Sequence, residues 1–300
     1  MPVPFLEDYA TYAVRRGREQ PPAGPAPIVS IVTVSLNAAA SIARTIASVQ
    51  AQSFPSIEHI FVDGGSSDGT LDIIGALARP QDYWISEKDG GISDAFNKGV
   101  ALARGRYVQI LNADDWMSLD QIERGIEALE ETGADFSFGN LIFYEGDHPI
   151  FHYAGDPHYA RSIHRRCPSV GHPTVLASRA AFARIGLFDP AYRNAMDYDW
   201  LLRLHRAGGC GIYCAGVVGH MTHAGVSNRQ FARTIQEVRT IAVAHGRNPL
   251  LANFEVRARL LKTTVALPVK RNFQPLYRLC RRAINPSYRP VTAKPAKIPL

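Results

Sequence analysis

Asp114 and Asp115 stand side by side two residues after an apolar run, Tyr107-Val108-Gln109-Ile110-Leu111. The run reads as a strand, and Ser118 opens the amphipathic helix that follows. Carboxylates at the carboxyl end of a buried strand sit where open α/β sheets hold their ligands. Two of them repel each other and lose hydration, which calls for a cation between them and the substrate. A divalent metal held by one or two carboxylates and completed by substrate phosphates is the usual solution. The plainer alternative is a polar turn that caps the helix.

The segments upstream share this chemistry. Asp63-Gly64-Gly65-Ser66-Ser67-Asp68-Gly69-Thr70 follows a strand and precedes a helix. Its glycines permit close backbone approach, Asp63 suits a hydrogen bond to a base or ribose, and Asp68 suits the helix start. The loop has neither the Lys-Ser/Thr ending of a P-loop nor GxGxxG spacing, which disfavours an ATPase or a dinucleotide-dependent dehydrogenase. Ser86-Glu87-Lys88-Asp89-Gly90-Gly91 again puts acid beside glycine, and Lys98 in the next helix either meets phosphate or lies exposed. Downstream, Asp197 starts a helix, where an N-cap role and a proton-acceptor role are compatible. Asp199 is its nearest competitor as base. His172 and His223 fall in segments expected to border the acceptor cleft. Cys210 and Cys214 lie too close to His220 and His223 for zinc-finger spacing.

These groups need a scaffold, and the apolar periodicity supplies one. Val29 to Val34 is a β-branched strand covered on both faces. Ser41 caps a helix through Gln52, with Ile42, Ile46 and Val49 on its buried stripe. Strands at Ile57–Val62, Asp82–Ser86 and Arg106–Leu111 alternate with helices at Thr70–Leu77, Ser93–Ala103 and Ser118–Glu131. In the last of these, Leu119, Ile122, Ile126 and Leu129 point inward. Such alternation predicts βαβ units and a mainly parallel sheet, with the loops after Val34, Val62, Ser86 and Leu111 along one edge. Asp135 to Tyr153 alternates like strands, and 154–175 is irregular. Helices at Arg179–Ile185 and Tyr198–Ala207, a strand at Ile212, and helices at Gln230–His245 and Leu251–Ala266 follow.

The 300 residues are 46% hydrophobic and 20% charged, the composition of a globular protein with a sizeable core. The net charge of +6 belongs to the tail, because no acidic residue follows Glu255. Nucleic acid is not an expected partner. Residues 20–27 form a proline-rich linker. Nothing reads as a signal peptide or as the ~20 apolar residues of a membrane span, so a cytosolic chain with reduced thiols at Cys167, Cys210, Cys214 and Cys280 is expected. Cationic residues interleaved with Leu261, Val265, Leu267, Phe273, Leu276, Tyr277 and Leu279 suit peripheral contact with an anionic membrane surface at its inner face. A solvated tail is the alternative.

Taken in order, Val29–Asn37, Phe61–Thr70, Ser86–Gly99, Gly105–Asp115 and Ala195–Leu204 resemble the family 2 glycosyltransferases of the GT-A fold, most of all bacterial members that build polysaccharides or glycolipids. The resemblance covers residues 27 to about 225. It implies a Rossmann-like α/β domain with a nucleotide-sugar half at 27–134 and an acceptor half at 135–225. Residues 1–26 form an extension, and 226–300 form C-terminal helices and a basic tail. It implies transfer from a nucleotide-diphosphate sugar to a saccharide or lipid-linked acceptor with inversion, assisted by Mn2+ or Mg2+. By the same resemblance Asp115 binds the metal, while Asp114 faces ribose and diphosphate. Asp63 lies near the base, Thr33, Asn37 and Asp89 line the nucleotide sugar, and Asp197 is the catalytic base. Gly64 stands where many members carry a second aspartate, and Met196 where glutamate commonly precedes the base. The rival functions are a sugar-phosphate nucleotidyltransferase, which lacks its phosphate loop at 35–40, and a GT-A-like module that binds without turnover.

Overall fold

The computed structural model describes residues 3–9, 25–164, 167, 170–223, 231–258 and 288–290. Strand β1 (Val29–Ser35) is buried along its whole length and pairs in parallel with β2 (Ile57–Asp63) and β4 (Tyr107–Asn112), while β2 pairs in parallel with β3 (Tyr83–Ser86). The register sets Ser35 beside Asp63, Asp63 beside Ser86, and Val34 beside Asn112. The four strands therefore end level, and their loops share one edge.

Helices cover both faces, as β-branched strands without a polar side require. Alternation along β1 and β4 sends Val32, Val34, Val108 and Ile110 to one face, against α3 (Ile92–Leu102), α5 (Arg179–Ile185) and α6 (Met196–Arg206). Val29, Ile31, Tyr107 and Leu111 go to the other, against α4 (Gln121–Thr132). There α1 (Ile42–Gln50) and α2 (Thr70–Leu77) also pack, with Ile42, Ile46 and Ile74 around Phe61. Gly99 allows α3 to press on β1, since a Cβ there would stand 2.1 Å from a Val32 methyl. Ser41 does not cap α1 through its side chain, and its hydroxyl turns back to the Ala38 carbonyl.

Beyond β4 the sheet becomes mixed. β6 (Phe136–Glu145) and β7 (His148–Tyr153) form a hairpin, and the short β8 (Leu176–Ser178) joins β6 to β4 in antiparallel register. β9 (Gly211–Thr222) lies parallel to β6, and its far end pairs with β5 (Trp116–Met117). Helix α7 (Phe231–Ala244) packs on α6, and β10 (Tyr288–Pro290) adds to β7. Leu119 departs from the expected inward stripe: β5 keeps the chain extended through Met117, so α4 starts only at Gln121 and Leu119 is 63% exposed. The membrane-facing residues expected in the tail, Leu261 to Leu279, lie outside the described residues. Among those described, no helix is long and apolar enough to cross a membrane.

Candidate active site

The first loops at the sheet edge are built around Asp63. Its carboxylate is fully buried and accepts from the Ser35, Ser66 and Ser86 hydroxyls and from the Gly65 and Ser66 backbone N–H groups. Burial pushes its pKa up, but the bonds from Ser66, Ser86 and Ser35 outweigh burial and leave it below the ordinary carboxylate value. These internal donors take up the carboxylate that the sequence offered to a base or ribose. Asp63 thereby fixes the shape of its loop. Asp63→Asn is expected to destabilise the fold by about 2–3 kcal/mol, since one amide cannot replace a carboxylate that accepts five bonds. Urea unfolding measures it.

Asn37 joins the first loop to the second. Its Oδ1 accepts from Ser67 N at 3.0 Å and its own N–H donates to Ser66 Oγ, with φ at 52° in the left-handed region that asparagine tolerates. Asp68 serves the helix start as expected, accepting from the Thr70 N–H and hydroxyl. Thr33 corrects the reading of the first strand. It lies inside β1, fully buried, with its hydroxyl 2.8 Å from His59 Nε2 on the α1–α2 side of the sheet. Burial drives the His59 pKa down to about 3. The loop after the first strand starts only at Leu36, because β1 runs on to Ser35.

Lys98 is neither an exposed lysine nor open to phosphate. It is 7% exposed and pairs with Glu87 at 2.9 Å and Asp94 at 3.1 Å, which ties α3 to the third loop. A Cβ built on Gly64, in the second loop, would stand 2.8 Å from Asp89 Oδ2 of the third. The carboxylate of Asp89 thus occupies the space that an aspartate at position 64 would need.

The fourth loop carries the paired acids. Thr45 donates to the carbonyls of Ala113 and Asp115 from α1, and Thr222 donates to that of Asp114 from β9, so the turn is held from both sides. Asp115 is 1% exposed, whereas Asp114 is half-buried. Burial, and then the charge of Asp114, raise the Asp115 pKa well above the ordinary carboxylate range. Asp115 Oδ1 and Asn112 Oδ1 are both buried without a hydrogen-bond partner among the described residues. Oxygen acceptors left unpaired beside two acids suit a hard cation. The described residues gather no cluster of three or more His, Cys, Asp or Glu side chains for a metal. One or two carboxylates and a diphosphate would therefore complete the shell. Of the two acids, Asp114 is the one nearer solvent, with Asp115 closed in behind it.

Asp197 lies in the first turn of α6, half-buried, its Oδ1 accepting from the Tyr198 N–H. It lines a cavity of about 30 Å³ together with Val108, Ile110 and His172. Strand β4 thus borders Asp197 with Ile110 and presents Asp114 just beyond its end. His172 stacks on Phe96 at 5.3 Å, and its Nε2 is buried without a partner among the described residues. Burial lowers the His172 pKa, against the opposing pull of Asp197. His223 packs edge-on against Phe143 and Phe151, away from Asp197's cavity.

Asp199, the competing base, is 3% exposed and held by Arg203 at 2.8 Å and His245 at 3.3 Å. Burial raises its pKa, and His245 and Arg203 more than reverse that, leaving it below the ordinary value. A depressed folded pKa adds stability above the unfolded value of about 4, which is lost as pH falls through the folded pKa. Thermal melts from pH 7 to 3 should show Asp199→Asn less stable at pH 7 and less sensitive to acid than the parent.

A family model described as "Glycosyl transferase family 2" matches residues 30–185. An uncharacterized glycosyltransferase of Mycobacterium tuberculosis is 32% identical over 186 residues, which are 59% of this chain and 69% of the relative. A PGL/p-HBAD biosynthesis glycosyltransferase of Mycobacterium bovis is 31% identical over 183 residues, 59% of this chain and 70% of the relative. Among solved structures, Staphylococcus aureus TarS 1–349 in complex with UDP-GlcNAc superposes with a TM-score of 0.55 at 17% identity, covering 83% of this chain and 78% of that one. A longer TarS chain is covered over 43% of its length. The mannosyltransferase PcManGT of Pyrobaculum calidifontis, in complex with GDP-Man and Mn2+, gives 0.55 at 18% identity over 85% of this chain and 76% of that one. At these identities the structural likeness speaks to the fold alone.

Proposed function

The chain belongs to glycosyl transferase family 2 and is a glycosyltransferase of GT-A fold, and from that premise we propose a metal-assisted, inverting transfer. The donor is a nucleotide-diphosphate sugar and the acceptor a hydroxyl of a saccharide or glycolipid. One observation supports the reading: the Asp114–Asp115 turn follows the end of β4, and Asp197 of α6 lines a cavity with Ile110 of that same strand.

The loops around Asn37, Asp63 and Asp89 hold the nucleotide sugar over the sheet edge. Asp114 is the accessible ligand for Mn2+ or Mg2+, and Asp115 backs it. When bound, such a cation offsets the charge that builds on the leaving diphosphate. Asp197 accepts the proton of the acceptor hydroxyl. That oxygen forms a bond to the anomeric carbon while the bond to the diphosphate oxygen breaks, and the electron pair leaves with the diphosphate. Support for the donor class comes from neighbours of the same fold seen with UDP-GlcNAc and with GDP-Man and Mn2+. Support for a glycolipid acceptor comes from the relative named for PGL/p-HBAD biosynthesis. A panel of UDP-, GDP- and dTDP-sugars, screened by thermal shift with and without Mn2+, tests it, because a ligand of the folded state raises apparent stability by mass action. No manganese-dependent shift with any nucleotide sugar would overturn the donor assignment.

A further inference from the structure

Helix α6 begins without a side-chain cap of its own, and Ala195 is its N-cap residue. The first N–H groups of a helix have no partner within it and must find one elsewhere. At α6 a single carboxylate from α7 binds the three N–H groups that lead into the helix, the last being that of the N-cap residue Ala195. Glu237 Oε2 accepts from the backbone N–H of Arg193 at 3.1 Å, Asn194 at 2.7 Å and Ala195 at 3.1 Å, and Oε1 accepts from Asn194 Nδ2 at 3.3 Å. Its side chain is 13% exposed, and Arg233 stands one turn away at 3.5 Å. A carboxylate in this position also complements the positive end of the helix dipole.

The same segment is tied on its other side to the donor half. Ser93 donates to the Tyr192 carbonyl at 2.6 Å, and Asn97 exchanges two hydrogen bonds with the Phe188 backbone. Just past the end of α7, His245 grips α6 again, through its ring on Asp199 and through its carbonyl, which accepts from Arg206. Residues 188–195 are therefore held between α3 and α7, and Asp197 follows two residues after the last N–H that Glu237 binds.

We propose that Glu237 is a positioning residue for the transfer reaction: by binding three consecutive N–H groups it fixes the start of α6, and so the direction from which Asp197 meets the acceptor hydroxyl. It makes α7, which lies beyond the residues matched by the family model, part of the catalytic apparatus. This assignment rests on the reading of Asp197 as the base.

The test compares Glu237→Ala, Glu237→Gln and Asp197→Asn with the parent. Turnover is read as nucleotide diphosphate released from UDP-GlcNAc and from GDP-mannose, and the amides of 193–199 are followed by hydrogen exchange. Glu237→Ala should lower kcat on the order of 10²-fold, as misplacement of a reacting group does. Its KM for donor should stay within about twofold, while the 193–199 amides exchange faster. Glu237→Gln keeps an acceptor oxygen and should recover most of the activity and protection. Parent-like exchange in Glu237→Ala overturns the assignment, as does a loss that falls on donor KM instead of kcat. If Asp197→Asn turns over normally, the base reading fails. If that variant is inactive while Glu237→Ala keeps its kcat, only the role of Glu237 fails.

Discussion

Asp197→Asn should bind nucleotide like the parent and transfer sugar more slowly by about 10²–10⁴-fold, the usual loss when a general base is removed. The side chain lies in the first turn of a helix whose buried residues include Met196, Tyr198, Trp200 and Leu201. Asparagine matches the carboxylate in size and can still accept from the Tyr198 N–H through its amide oxygen, so the fold should persist. What it cannot do is take a proton. An effect on kcat with donor binding intact is the signature of an interaction used only in the transition state. Donor affinity by calorimetry and turnover by nucleotide release separate the two. Asp199→Asn should behave differently, losing stability first, because its carboxylate is engaged by Arg203 and His245. Product NMR completes the test: inversion requires an anomeric configuration opposite to the donor's, and retention would refute single displacement.

Asp114→Asn should abolish the manganese-dependent part of nucleotide binding, with a loss on the order of 10²-fold or more, as each lost 1.4 kcal/mol is tenfold in affinity. The half-buried Asp114 is the carboxylate that solvent can reach, and removing its charge also relieves the repulsion that raises the Asp115 pKa. Asp115→Asn should leave the first encounter with metal largely intact. Asparagine there has a neutral amide in a place where burial already favours the uncharged acid, so its melting temperature should stay near the parent's. Titration of each variant with Mn2+ in the presence of UDP or GDP distinguishes them. Loss of metal response in Asp115→Asn with retention in Asp114→Asn would return the ligand role to Asp115. Full activity in excess EDTA would remove the metal altogether.

The sequence determined the run of strands and helices from Val29 to Leu102. Its signals are local: β-branched runs, helical stripes, and acid beside glycine at strand ends, which together define the βαβ order and its single loop edge. The ordered segments from Val29 to Leu204 also carried the family resemblance, because short-range spacing is what such motifs record. Tertiary structure decided which acids face solvent and which are spent on the fold. Asp63 and Asp115 look equivalent to Asp89 and Asp114 in one dimension, yet Asp63 accepts five internal hydrogen bonds and Asp115 is sealed behind its neighbour. Lys98 became a buried partner of Glu87 and Asp94, and Thr33 a partner of His59. The short strands β5 and β8 were invisible because two or three residues cannot show a period, and their pairing comes from strands distant in sequence. Glu237 could not be read at all. Its meaning comes from three N–H groups more than forty residues away, and only the packing of α7 on α6 brings them together.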